Sequence, residues 1–335
     1  MPFEGEKIRW TGSFEAFPKK EAKNEEKKVI EELKLKLLQT EDFKKERWRE
    51  KLERESKEIE ELLEKTGRIE SEINKREKLF PVEDWHRIDP RAYEKVFDRE
   101  TVRGLQEKVE RIKSKIEKIE KEEIEEVEKA TDLSELDKEI IKKELEIEKK
   151  IGELRERVVN CYLFKYFSQS DDFYEVRTSL VDDVLNGVDH FILDKKGERI
   201  VAAIDVGGPL KSAIRKNFEG GARVKFGGFF RGGKFVLGEI KNVPVIEIRL
   251  NREETLLLTK TLAENLNSFP QEERKAFKWF FERKFLTQFE ELEREPGIPE
   301  YLKRELSWLK DSFEIWLENF FSSRSTKERH RSKTR

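Results

Sequence analysis

The reading of the chain turns on Asp182-Asp-Val-Leu-Asn-Gly-Val-Asp-His-Phe-Ile-Leu193, followed by Asp194-Lys-Lys-Gly-Glu198 and Arg199-Ile-Val-Ala-Ala-Ile-Asp-Val-Gly-Gly208. The apolar runs Phe191 to Leu193 and Ile200 to Ile204 are short, rich in β-branched or aromatic residues and bounded by turn chemistry. That pattern predicts a β-hairpin closed by residues 194–198. Asp189 stands just before its first strand and Asp205 at the end of its second. Closing the turn brings the two carboxylates to one edge of the sheet, where a pair of hard oxygen ligands suits Mg²⁺ or Mn²⁺. Asp183 is a further acid for such a site, Asp182 a weaker one, and Asp194 reads as a turn residue. His190 alternates away from Asp189 along the strand and reads as a core or edge residue. The Asn186-Gly187 turn before the hairpin, and the glycine pair and helix after it, add to the metal reading of the two aspartates against that of solvated strand-end acids.

At these residues the chain resembles the PD-(D/E)XK nuclease superfamily, over roughly Glu175 to Leu250. Val188-Asp189 matches the first half of that motif, and the apolar strand ending in Asp205-Val206 matches the second. The resemblance implies a restriction-endonuclease-like α/β core, Mg²⁺- or Mn²⁺-dependent hydrolysis of phosphodiester bonds in DNA or RNA, and metal ligation by Asp189 and Asp205. Where the family carries its Lys, this chain has Gly207. Some members supply that Lys from the following helix, and Lys211 and Lys216 in Pro209-Leu-Lys-Ser-Ala-Ile-Arg-Lys216 are the substitutes here. Members also carry an acid on the helix before the first core strand, a place for Glu175 or Asp183. Gly207 equally supports an alternative, a non-catalytic coiled-coil interaction protein whose nuclease-like part is a degenerate nucleic-acid-binding module.

Composition divides the chain. Charged residues make up 43% of its 335 positions and apolar ones 36%, against roughly 25% charged in ordinary globular proteins. Much of it therefore reads as solvated helix. Lys and Arg (71) nearly cancel Asp and Glu (73), so global charge argues neither for nor against nucleic acid. The lone Cys161 sits in an apolar run, reads as a buried structural thiol and fits a reducing cytoplasm. The amino terminus has no signal-peptide pattern, and no run nears the ~18 apolar residues that span a bilayer. Low Cys and Met with abundant Glu, Lys and Arg is a composition associated with heat-adapted proteins.

Taken in order, residues 1–24 read as a flexible lead-in and 25–157 as a helical hairpin or coiled-coil arm. Val29, Leu33, Leu37, Leu52, Ile59, Leu62 or Leu63, Ile69 and Ile73 recur at helical spacing between Glu25 and Lys78. So narrow a stripe calls for a partner helix. Leu79 to Pro90, with two prolines and a Trp, reads as a connection. A second charged helix follows from about Glu100 to Arg157, and Thr131 or Ser134 could cap a third. The arm closes on itself as an antiparallel hairpin, or else pairs laterally with a partner protein or a second copy.

Residues 158–321 read as the α/β domain with carboxy-terminal helices, giving an α+β class overall. A helix is predicted over 209–218, strands over Ala222–Phe230 and Lys234–Leu250, and helices over Glu253–Leu266, Gln271–Glu295 and Pro299–Phe321. Nine of the 17 glycines fall between 207 and 238. Residues 207–247 carry eight basic residues against three acids, so Arg215, Arg223, Lys225, Arg231 and Lys234 are candidate nucleic-acid contacts. Phe218, Phe226, Phe229 and Phe230 lie among them and read mainly as sheet core. Residues 322–335 hold six Lys or Arg against one Glu and read as a disordered, phosphate-binding tail. The sequence has no Gly-x-x-x-x-Gly-Lys-Ser/Thr loop, no paired-cysteine zinc spacing and no Gly-x-Ser-x-Gly elbow, which sets those classes aside.

Overall fold

The apolar stripe of the amino-terminal region finds its partner within the chain. The structure is a computed structural model that describes residues 30–73, 87–167, 170, 172–194, 199–207, 210–231, 234–264 and 271–332; the side chains of 69–73, 199, 210–213, 229–231, 234–235, 271–272 and 322–332 are outside that description. Helix α1 (30–38) ends in a turn, and α2 (Asp42–Ile73) follows. Leu52, Ile59 and Leu62 of α2 are buried with Ile140, Ile147, Ile151 and Leu154 of α4 (Glu135–Phe167). Lys45 meets Asp137 at 2.8 Å, Lys150 meets Glu60 at 2.6 Å, and Arg157 donates to the Leu63 carbonyl at 2.9 Å. Later residues of α2 thus meet later residues of α4, so the two helices run parallel.

The antiparallel partner is α3 (Arg99–Lys129), whose Glu120 and Glu128 pair with Lys149 and Lys142 of α4. α4 starts at a capping box. Ser134 Oγ accepts from the Asp137 amide at 3.2 Å, and Asp137 accepts from the Ser134 amide at 3.1 Å, which satisfies two amides that a helix start leaves open. Ser134, rather than Thr131, is therefore the cap. The 157/158 boundary expected from composition falls inside α4: residues up to Leu154 pack against the arm, and Val158 to Phe167 enter the main core.

Strands β1 (Phe173–Arg177), β2 (His190–Asp194) and β3 (Arg199–Val206) form an antiparallel meander. α5 (Leu210–Phe218) and a separate two-stranded ribbon, β4 (Ala222–Arg231) with β5 (Lys234–Val243), then lead to β6 (Val245–Ile248). β6 lies parallel to β3, giving the order β1-β2-β3-β6. The single strand expected over Lys234–Leu250 is broken at Pro244, which has no N–H for a ladder. Asn242 takes φ 60° beside it, and the Pro244 carbonyl accepts from the Ala203 amide at 2.8 Å, leading the chain into the main sheet.

One face of this sheet (Phe173, Ile192, Ala202, Ile204, Ile246) packs on α4 and on an aromatic core. That core comes from α7 (Gln271–Phe280), a π-helical stretch (Phe281–Leu286), α8 (Thr287–Arg294) and α9 (Glu300–Ser332). The other face (Val176, Phe191, Ala203, Val245) packs on Tyr93, Val102, Val109 and Phe226. α6 (Arg252–Glu264) joins the two parts, with Arg252 reaching Glu55 at 2.7 Å, Glu144 at 2.9 Å and Glu148 at 3.1 Å.

The chain is thus mixed α+β, with small sheets and a long amino-terminal helical region. Cys161 is buried, as its apolar run implied. The lead-in 1–24 and most of the 79–90 connection lie outside the described residues. The backbone of α9 runs to Ser332, so most of the tail read as disordered is helical instead. No helix among the described residues is long and apolar enough to cross a membrane.

Candidate metal and phosphate site

The hairpin pairs His190 with Ile204, so Asp189 stands opposite Asp205, one step further along. The Asp189 amide donates to the Ile204 carbonyl at 2.8 Å, and the Val206 amide donates to Asp189 Oδ2 at 2.6 Å. Gly187, in the left-handed region at φ 59°, turns the chain from the π-helical stretch Asp182–Asn186 into this position. Lys216 reaches in from α5. Its Nζ donates to Asp205 Oδ2 at 2.7 Å and to the Gly187 carbonyl at 2.5 Å, tying together the loop before β2, the end of β3 and the helix. Asp189 Oδ1 and Asp205 Oδ1 accept no hydrogen bond from the described residues.

The electrostatics are those of crowded acids. Asp189 is half-buried. Burial pushes its pKa well above the usual carboxylate range, and the charges of Asp183, Asp205 and Glu156 push it further. Glu247, level with Asp205 on β6, is fully buried and pushed up to about 7, chiefly by burial, with Asp205 adding to the effect and Arg249 opposing it. Its Oε1 accepts from Arg249 at 2.7 Å, and its Oε2 is buried without a partner. Glu156 on α4 is raised as well, by burial first and then by Asp183. Such crowding favours a cation.

The structure therefore brings Asp189, Asp205 and Lys216 together and sets Asp183 close by, where it pairs with Arg87 at 2.7 Å. Lys211 belongs to α5, but its side chain lies outside the described residues. Glu175 is not at the site. Successive strand residues face opposite ways: Val176 and Phe191 point to one face, so Glu175 and His190 point to the other. There His190 Nδ1 lies 2.6 Å from Glu175 Oε1, both side chains buried. On α4, the helix before β1, Glu156 is the acid whose charge acts on Asp189. Asp182 is structural, taking the Phe226 amide at 3.0 Å and the Ser179 hydroxyl at 2.9 Å, and the Lys225 amide as well.

Among the expected nucleic-acid contacts, Arg215 is exposed on α5. Arg223 and Lys225 converge on Glu239, and Lys225 also lies over the Phe97 ring at 3.9 Å. Phe226 is core, as expected, whereas Phe218 ends α5, is 42% exposed and is not part of the sheet core. The side chains of Arg231, Lys234, Phe229 and Phe230 are outside the described residues. Among the described residues, no three His, Cys, Asp or Glu side chains are grouped closely enough to hold a metal ion. The arrangement offers two carboxylates, Asp189 and Asp205, not three.

No protein-family model matches the chain, and neither the curated proteins nor the solved structures include a match.

Proposed function

We propose that the chain is a metal-dependent nuclease, hydrolysing phosphodiester bonds in DNA or RNA on a restriction-endonuclease-like core. The order of elements supports this: a helix, three antiparallel strands, a helix, and a last strand parallel to the third. The observation that carries the proposal is Lys216. Gly207 leaves the strand without a lysine, and α5 delivers one to Asp205 at 2.7 Å.

The donor set fits a hard divalent cation, because Asp189 and Asp205 each offer a carboxylate oxygen without a hydrogen bond from the described residues. Asp189, Asp205 and a few waters would hold Mg²⁺ or Mn²⁺; when bound, such a cation acidifies water and offsets charge on a phosphate. Lys216 fixes the Asp205 carboxylate and ties it to the loop before β2. Val206 N–H orients Asp189. His190, turned to the opposite face, takes no part in the chemistry.

A second reading, a non-catalytic nucleic-acid-binding module carried by the helical arm, draws support from Lys216 itself, whose ammonium already has two protein acceptors.

The test is Mg²⁺- and Mn²⁺-dependent cleavage of single- and double-stranded DNA and RNA by the native chain, Asp205→Ala and Lys216→Met. Cleavage that falls at least 100-fold in both variants supports the nuclease, on the scale of losing a positioned transition-state contact. Nucleic-acid binding without cleavage by the native chain selects the second reading.

A further inference from the structure

Gly207 is more than a missing lysine. The residue is held at the end of β3 by its amide, which donates to the Ile248 carbonyl at 2.9 Å, and its φ is +83°. A Cβ there would stand 3.2 Å from Nη1 and 3.4 Å from Cδ of Arg155, on α4. The side chain absent from the strand makes room for an arginine arriving from the helix. Arg155 precedes Glu156, whose charge acts on Asp189, so this turn of α4 passes over the sheet edge that carries the aspartates.

The other cations of this edge are committed: Arg87 to Asp183, Arg177 to Glu156 at 3.4 Å, and Lys216 to Asp205. Arg155 has no ion pair or hydrogen bond with the described residues, and its Nε is buried without a partner. A guanidinium cannot shed its charge, and an unsatisfied buried donor is costly. Its planar fork matches two oxygens of one phosphate.

We propose that Arg155, seated over the bare Cα of Gly207, binds the non-bridging oxygens of a nucleic-acid phosphate next to the aspartate pair. Residue 155 thus supplies the phosphate-facing charge, while Lys216 serves Asp205. The choice of a nucleic acid as ligand rests on the nuclease reading.

The experiment is fluorescence anisotropy of a labelled 30-nucleotide single strand and its duplex in EDTA, across a NaCl series, with the native chain, Arg155→Gln and Arg155→Lys. Mn²⁺ cleavage is measured on the same preparations. Removing one phosphate contact should weaken binding about 10-fold and lower the salt slope by about one. Arg155→Lys should restore the slope but not the whole affinity, since a point charge lacks the fork. Unchanged affinity and slope in Arg155→Gln overturns the proposal, as does a native chain that binds neither probe. A native chain that binds in an Arg155-dependent way and never cleaves removes the nuclease reading but leaves the phosphate contact. Cleavage with wild-type binding by Arg155→Gln does the reverse. Arg155→Lys, which keeps charge and bulk, also serves as the readout should the neutral variant lose its fold: affinity and slope both native in Arg155→Lys would then overturn the two-oxygen contact.

Discussion

Glu247→Gln should stabilise the protein at alkaline pH and leave it unchanged in acid. The Glu247 side chain is fully buried, and its carboxyl is pushed from an ordinary value near 4.5 to about 7, chiefly by burial, with Arg249 as its one side-chain partner among the described residues. A pKa raised on folding means that the native state holds the proton more tightly than the unfolded chain. The stabilisation is complete below about 4.5 and is lost as pH rises through about 7. At about 1.36 kcal/mol per pH unit, the ionised form costs roughly 3 kcal/mol at pH 8.5. Glutamine avoids that cost, and the opposing pull of Arg249 is already contained in the shifted value. The net gain is roughly 3 kcal/mol. With an unfolding entropy of about 2 cal/mol/K per residue, this amounts to a rise in Tm of about 4 °C at pH 8.5. Thermal melts of both proteins from pH 5 to 9 measure it. A gain of equal size at pH 5, or a loss at pH 8.5, would refute the account, since either would mean that packing or the Arg249 contact outweighs the buried charge.

Two further outcomes follow from the same geometry. Mg²⁺ at tenfold its dissociation constant should stabilise the native chain by about 1.4 kcal/mol, a rise of about 2 °C in a melt at neutral pH, and Asp189→Asn or Asp205→Asn should abolish that rise; an equal rise in the variants would place the cation elsewhere. His190 is held below its ordinary pKa by burial, with Glu175 opposing the shift, so its contribution to stability is present above about 6.5 and lost as pH falls through its lower folded value. Urea unfolding between pH 7 and 5 should show the native chain losing stability more steeply than His190→Gln, and parallel curves would count against the assignment.

The parts of this site that the sequence reveals are those set by neighbours in the chain. Asp189 and Asp205 are brought together by one hairpin whose turn and apolar runs are local features, and Lys216 is one of two lysines to which the resemblance points on the following helix. Glu175 misled because strand parity depends on register: which face holds a residue is settled only when β1 pairs with β2. Glu156 was hidden for another reason. In a stretch as charge-dense as Glu144 to Arg157, the pattern gives no ground for choosing one acid, and α4 serves two cores along its length, so composition put a boundary where the helix runs on. Glu247 looked like an ordinary strand acid because its place beside Asp205 comes from a parallel crossover, and Pro244, which separates β6 from the ribbon, is the only local sign of it.

Gly207 shows how these two kinds of information combine. In the sequence it is an absence, and an absence alone favours loss of function. In three dimensions the missing side chain lies where Arg155 passes, while Lys216 stands on the neighbouring aspartate. Two cations from two helices thus stand at the end of β3. A lysine restored at position 207 would have to displace Arg155 and adopt φ +83°, a conformation that side chains other than glycine's rarely take. Gly207→Lys should therefore lower, not raise, any cleavage by the native chain, along with its stability; a gain in cleavage would show that residue 207 itself is the missing catalytic position and that the helical cations do not replace it.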